Sequence, residues 1–207
     1  MAILVAAGVF LGEGLFWLFS RRNRAAQQGF RVLNVAASLS PRSDEKAQLV
    51  LKYDVQVLHR GTQALLLPEL PSGVVITSAA AQYDGYDTDV VAARDGRLWV
   101  PLKSYRPKQR RQQRLVAILD LGGAKFLKER VWLFRIHAHT RRAEISLGMG
   151  EGSPNLLVRA ILYRGSMPSQ PAILLPVVEN YYSVVFSDLA PGAAIGLSWR
   201  QLDEPPE

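Results

Sequence analysis

The chain contains no cysteine. That absence excludes a disulfide framework, iron–sulfur clusters, thiolate zinc sites, blue-copper centres and cysteine nucleophiles together. Histidine is scarce: His59, His137 and His139 are the full complement, though three imidazoles can hold a zinc or copper ion. Negative charge is in the minority, with 18 Asp and Glu against 25 Lys and Arg and a formal net charge of +7. A basic balance favours anionic partners, whether lipid, nucleic acid or an acidic protein face. No Gly-x-Ser-x-Gly elbow occurs, and Gly148-Met-Gly150-Glu-Gly152 lacks the lysine and helix that make a glycine-rich loop hold phosphate. Acidic pairs are few, and Asp203-Glu204 falls in a proline-containing tail. What is present is a 207-residue chain that is 48% hydrophobic, enough for the core of one domain and an appendage.

The appendage is the amino terminus. Ala2 to Phe19 is an almost unbroken apolar run, interrupted by Glu13 and three glycines. As a helix it would rise roughly 27 Å, just enough for a hydrocarbon core of about 30 Å. It closes on Phe16, Trp17 and Phe19, followed by Arg21, Arg22 and Arg24, the order expected where a helix leaves the bilayer. A cleaved signal peptide would carry its basic residues before the apolar stretch instead. Residues 1–30 are therefore expected to be a transmembrane helix with a juxtamembrane extension. The arginines place the main domain on the cytoplasmic side of a bacterial-type inner membrane, with a periplasmic location as the alternative. Gly8 and Gly12 form a small-xxx-small pair that admits a neighbouring helix, and Glu13 sits where a carboxylate is costly unless paired. All three are candidate helix-docking residues.

Residues 31–47 read as a linker, because Ser38, Ser40, Pro41 and Ser43 interrupt any periodicity. Strand patterns begin at Gln48. Leu49, Leu51, Tyr53, Val55 and Val57 alternate with Val50, Lys52, Asp54 and Gln56, the period of a half-buried strand. Further strands are expected at Ala64–Leu67, Val74–Ala80, Leu98–Val100 after the Asp95-Gly96 turn, Leu115–Leu121 and Val131–Thr140. Leu156–Tyr163, Ala172–Val178, Tyr181–Phe186 and Ala193–Trp199 complete the set, and one short helix is expected around Lys125–Arg130. Nine or ten strands with turns every eight to fifteen residues suit an antiparallel sandwich or barrel and not alternating βαβ units. The β domain is expected over 48–200, with a disordered tail at 201–207.

From Tyr53 to Ala80 a strand ending Val55-Gln-Val57 is followed by a Gly61-Thr62 turn, and a Pro71-Ser72-Gly73 turn precedes another strand. This stretch resembles the opening of immunoglobulin-like modules of bacterial surface and scaffold proteins. The resemblance implies an immunoglobulin-like antiparallel β-sandwich, and no activity comes with it.

Three clusters are candidate sites. Lys103, Arg106, Lys108, Arg110, Arg111 and Arg114 form a basic patch without an acid, suited to anionic lipid or an acidic partner. The patch has neither a reading motif nor an aromatic stacking platform, so nucleic acid is disfavoured. His137 and His139 share one strand face, opposite Trp132, Phe134, Ile136 and Ala138, and could contribute to a metal site. Arg135 and Arg141 on the same face repel a dication. Asp84, Asp87 and Asp89 gather oxygen ligands of the kind calcium prefers, but they miss the EF-hand spacing and fit an ordinary turn equally well.

No catalytic constellation, metal or cofactor can be assembled from these residues. The expectation is a non-catalytic, single-pass accessory or scaffolding subunit, docking onto other membrane protein subunits of a respiratory, photosynthetic or secretion type of complex. The alternative is a membrane-surface module that binds through residues 103–114.

Overall fold

The computed structural model describes residues 30–43, 45–58, 64–71, 73–84, 86–88, 91–92, 98–102, 112–149 and 156–201. The protein is nearly all β over these residues. The first strands are β1 (Phe30–Ser43), β2 (Lys46–Val57), β3 (Ala64–Leu66) and β4 (Val75–Tyr83). Next come β5 (Tyr86–Thr88), β6 (Val91–Ala92), β7 (Leu98–Pro101) and β8 (Gln112–Gly122). Helix α1 (Phe126–Glu129) leads to β9 (Val131–Arg135), β10 (Thr140–Gly148), β11 (Leu156–Arg164) and β12 (Met167–Pro168). Strands β13 (Ile173–Leu175), β14 (Val177–Val178), β15 (Tyr181–Leu189) and β16 (Ala193–Gln201) finish the chain.

These strands form three sheets. The largest has the order β14-β15-β10-β1-β2-β8-β4-β5; a second runs β12-β11-β16-β9, with β13 also on β11; the third is β3-β7-β6. Every pairing is antiparallel except β1 with β10. One apolar core draws from all three sheets, among them Leu39, Leu51, Leu119, Ile145, Val100 and Ile195.

The expected linker is the main correction. Residues 31–43 lie within β1, at the centre of the largest sheet between β2 and β10. Val35, Ala37 and Leu39 alternate inward, while Ser38 and Ser40 occupy the opposite face. The serines that read as loop residues are thus the outward half of a period-2 strand. A register shift between Val32 and Asn34 breaks the pattern just upstream. Such a bulge inserts one residue and bends the strand, so Val32 and Val35 both face the core from positions three apart.

The strand expected over Val131–Thr140 is also divided. Strand β9 belongs to the second sheet and β10 to the first, and residues 136–139 cross between them. The crossing is held at both ends: Ile136 N donates to Ala193 O at 2.8 Å, and Val32 N donates to His139 O at 3.2 Å. The burial alternation anticipated from sequence persists through it, with Trp132, Phe134, Ile136 and Ala138 buried. The short helix is present, its Phe126 and Leu127 buried and its end marked by Arg130 in the left-handed region.

The amino-terminal expectations concern residues outside those described: Gly8, Gly12, Glu13, Phe16, Trp17, Phe19, Arg21, Arg22 and Arg24. Among the described residues no helix is long and apolar enough to cross a membrane.

Candidate functional site

The three sheets leave a cavity of about 340 Å³ where they meet. Phe30, Val32 and Val35 enter from β1, Tyr53 from β2, Ala64 to Leu66 from β3 and Trp99 from β7. Phe134 and Arg135 of β9, Ile136 to Ala138 of the crossing and Thr140 of β10 complete the wall. Inward-facing positions of β1 and β2 supply apolar side chains because of their period. The bulge in β1 and the sheet crossing at 136–139 both border this cavity.

The lining is apolar with a few polar groups. Burial alone pushes the Tyr53 phenol well above its ordinary value of 10.0, so it is neutral and acts as a hydrogen-bonding hydroxyl at physiological pH. Thr140 Oγ1 donates to Ala138 O at 2.9 Å, which fixes the turn beside the cavity and occupies that hydroxyl proton. Arg135 is the cation of the lining, and its Nε stands 3.8 Å from Glu69 Oε2 with both side chains about half exposed, at 54% and 46%. A pair that long and that wet holds the guanidinium weakly, leaving it able to meet an anionic ligand. His137, half-buried, lines the same wall.

The sequence-derived candidates do not converge. Of the basic patch, Lys103, Arg106, Lys108, Arg110 and Arg111 lie outside the described residues. Arg114 lies on β8, where its Nε donates to Asp54 Oδ1 at 3.2 Å across the sheet. Asp84 closes the β4–β5 hairpin: it has φ 48°, and its carboxylate accepts from Arg114 N at 3.0 Å. Asp87 accepts from Gln82 Nε2 at 3.3 Å, and Asp89 lies outside the described residues. Asp84 and Asp87 therefore do turn and cross-strand work. His137 and His139 both lie in the crossing, and of the two His137 lines the cavity. Among the described residues no three His, Asp or Glu side chains gather so as to hold a metal ion.

Sequence reading missed Trp99, Tyr53 and Arg135 as partners. Trp99 was visible only as the centre of a short strand, and Tyr53 as one inward residue among five. Arg135, the lone charge inside Trp132–Ala138, was the one signal at hand.

No family model matches the sequence, and no curated protein matches it. Solved structures do. An M1 zinc metallopeptidase of Deinococcus radiodurans, bound to a tripeptide substrate, is 13% identical with a TM-score of 0.46, over 83% of this chain and 43% of that one. Yeast LTA4 hydrolase is 12% identical with a TM-score of 0.45, over 83% of this chain and 29% of that one. The same hydrolase with bestatin is 14% identical with a TM-score of 0.47, over 87% and 30%. The chain spans less than half the length of these structures. The expectation of a non-catalytic membrane accessory subunit is corrected on this finding: the proteins it matches are enzymes. At these identities and TM-scores no zinc ligand, residue role or activity is transferred to this chain.

Proposed function

We propose that this chain is a ligand-binding β domain that takes a small apolar carboxylate, aromatic or short acyl, into the cavity between its three sheets. Antiparallel layers in the manner of an immunoglobulin-like sandwich are the finer architecture that accompanies this reading. The observation that carries it is the cavity itself, about 340 Å³, within the range of small-molecule sites and with their usual composition of apolar wall and few polar groups. The ring walls of Phe30, Tyr53, Trp99 and Phe134 receive the apolar body. Arg135 meets the carboxylate, with His137 on the same wall, and a charge-assisted hydrogen bond there selects the anion over a neutral analogue.

The experiment uses 8-anilinonaphthalene-1-sulfonate, an apolar anion with fluorescent readout, and octanoate as competitor. Saturable fluorescence enhancement, displaced by octanoate and much less by octanol, is expected. Val35→Phe fills the cavity from β1 and should abolish the enhancement, and Arg135→Ala should weaken octanoate about tenfold while leaving octanol unchanged. Undiminished binding in a folded Val35→Phe variant, or equal competition by acid and alcohol, would refute the proposal.

A further inference from the structure

The outward face of the largest sheet carries a second depression, of about 630 Å³, on the side of β1 away from the core. It is polar and basic. Arg31, Arg141 and Arg142 line it together with Asn34, Gln56 and Gln112, and Asp188 is its carboxylate. The bulge in β1 lies along it. By inserting a residue between Val32 and Asn34, it turns Arg31 and Asn34 towards the same groove, and Arg142 stands opposite Asn34 on the neighbouring strand.

The cations are lightly engaged. Arg31 Nε donates to Gln56 Oε1 at 2.7 Å, a neutral acceptor. Arg142 donates to Glu144 Oε2 at 3.0 Å. Among the described residues Arg141 forms no ion pair. Three guanidiniums against Asp188 in the groove and Glu144 on Arg142 leave a net positive charge on a concave surface, which concentrates anions. Asp188 repels a bare anion but accepts from a hydroxyl, and the Gln56 side-chain amide is left to donate because its carbonyl oxygen takes Arg31.

We propose that this groove binds a small phosphorylated sugar. Its phosphate lies between Arg141 and Arg31 or Arg142, where planar guanidiniums match the oxygens in pairs. Its hydroxyls donate to Asp188 and accept from the Gln56 and Gln112 amides. The site is separate from the cavity between the sheets and stands on its own residues.

Isothermal titration of the full chain tests it, with glucose 6-phosphate as the probe and inorganic phosphate and glucose as comparisons. Saturable binding of glucose 6-phosphate at one site is expected, weaker by roughly tenfold for inorganic phosphate and absent for glucose at the same concentration. Arg141→Ala should weaken glucose 6-phosphate at least about tenfold, as should Arg142→Ala. Arg42→Ala should leave it unchanged, since Arg42 lies at the other end of β1, bonded to Gln48. The proposal is overturned by the absence of saturable heat with glucose 6-phosphate. It is also overturned if inorganic phosphate binds as tightly, or if Arg42→Ala weakens binding as much as Arg141→Ala.

Discussion

Two glycines with nearly the same backbone offer a controlled measurement of what close packing costs in this protein. Gly123, just after β8, has φ +62°, and Gly165, between β11 and β12, has φ +66°. Both are in the left-handed region, where an L side chain adds roughly 1–2 kcal/mol of strain. Replacing glycine by alanine returns about 0.4–1 kcal/mol by stiffening the unfolded chain. On conformation alone each Gly→Ala change should therefore destabilise by about 1 kcal/mol. Their surroundings differ. A Cβ at Gly165 meets nothing within 4 Å, whereas a Cβ at Gly123 lies 2.9 Å from the backbone oxygen of Gly73. A backbone carbonyl cannot swing aside as a side chain can, and Gly73 is itself at φ +82° in the turn entering β4. Gly123 is tethered as well, since its carbonyl accepts from Lys125 N at 2.8 Å and Ala124 N donates to Glu45 O at 2.9 Å. Relief of that overlap should add about 1–3 kcal/mol, for a total of about 2–4 kcal/mol at Gly123. Urea denaturation with unchanged m-values measures both. Equal losses for Gly123→Ala and Gly165→Ala would show that conformation alone sets the cost and that the contact with Gly73 is unimportant.

The remaining predictions concern side chains. Tyr182 bridges to the second sheet, its hydroxyl donating to Leu156 O at 2.8 Å and accepting from Leu156 N at 3.2 Å; Tyr182→Phe should cost about 1–3 kcal/mol, read by the same denaturation. The raised Tyr53 phenol makes stability fall as pH climbs above 10.0, because the unfolded phenol releases its proton while the folded one retains it. The slope approaches about 1.4 kcal/mol per pH unit. Tyr53→Phe should remove this component, and an unchanged alkaline slope in the variant would contradict the burial argument. Glu45 is held below its usual 4.5, chiefly by the hydrogen bond and charge of Lys128. The stability linked to this depressed carboxylate is present above pH 4.5 and lost as pH falls through the lower folded value. Both groups are exposed, so Lys128→Ala should alter acid melts only slightly, and a large shift would indicate a role beyond this pair.

Much of the β character was legible because it is written locally. Alternation in Leu49 to Val57 needs only neighbouring residues to be read, and β2 carries it directly into burial of Leu49, Leu51, Tyr53 and Val55. The same code failed for β1, where small outward residues mimic a loop and the bulge shifts the period. The cavity was not legible at all. Its walls come from positions as distant as Phe30, Trp99 and Thr140, and no local pattern states that they meet. The basic patch and the histidine pair were visible as sequence clusters, yet clustering along the chain is not convergence in space, and Asp84 and Arg114 proved to serve a hairpin.

By itself, then, the sequence determined the inventory: no thiol chemistry, a basic surface, and segments whose period-2 apolar spacing commits them to strands. Tertiary structure decided which strands neighbour which. The parallel pairing of β1 with β10 joins Val32 to Thr140 through backbone hydrogen bonds that any residue with an amide could make, so side-chain order alone cannot specify it. Burial of one continuous core across the sheets selects that arrangement, and with it the bulge, the crossing at 136–139, the cavity and the arginine-lined groove.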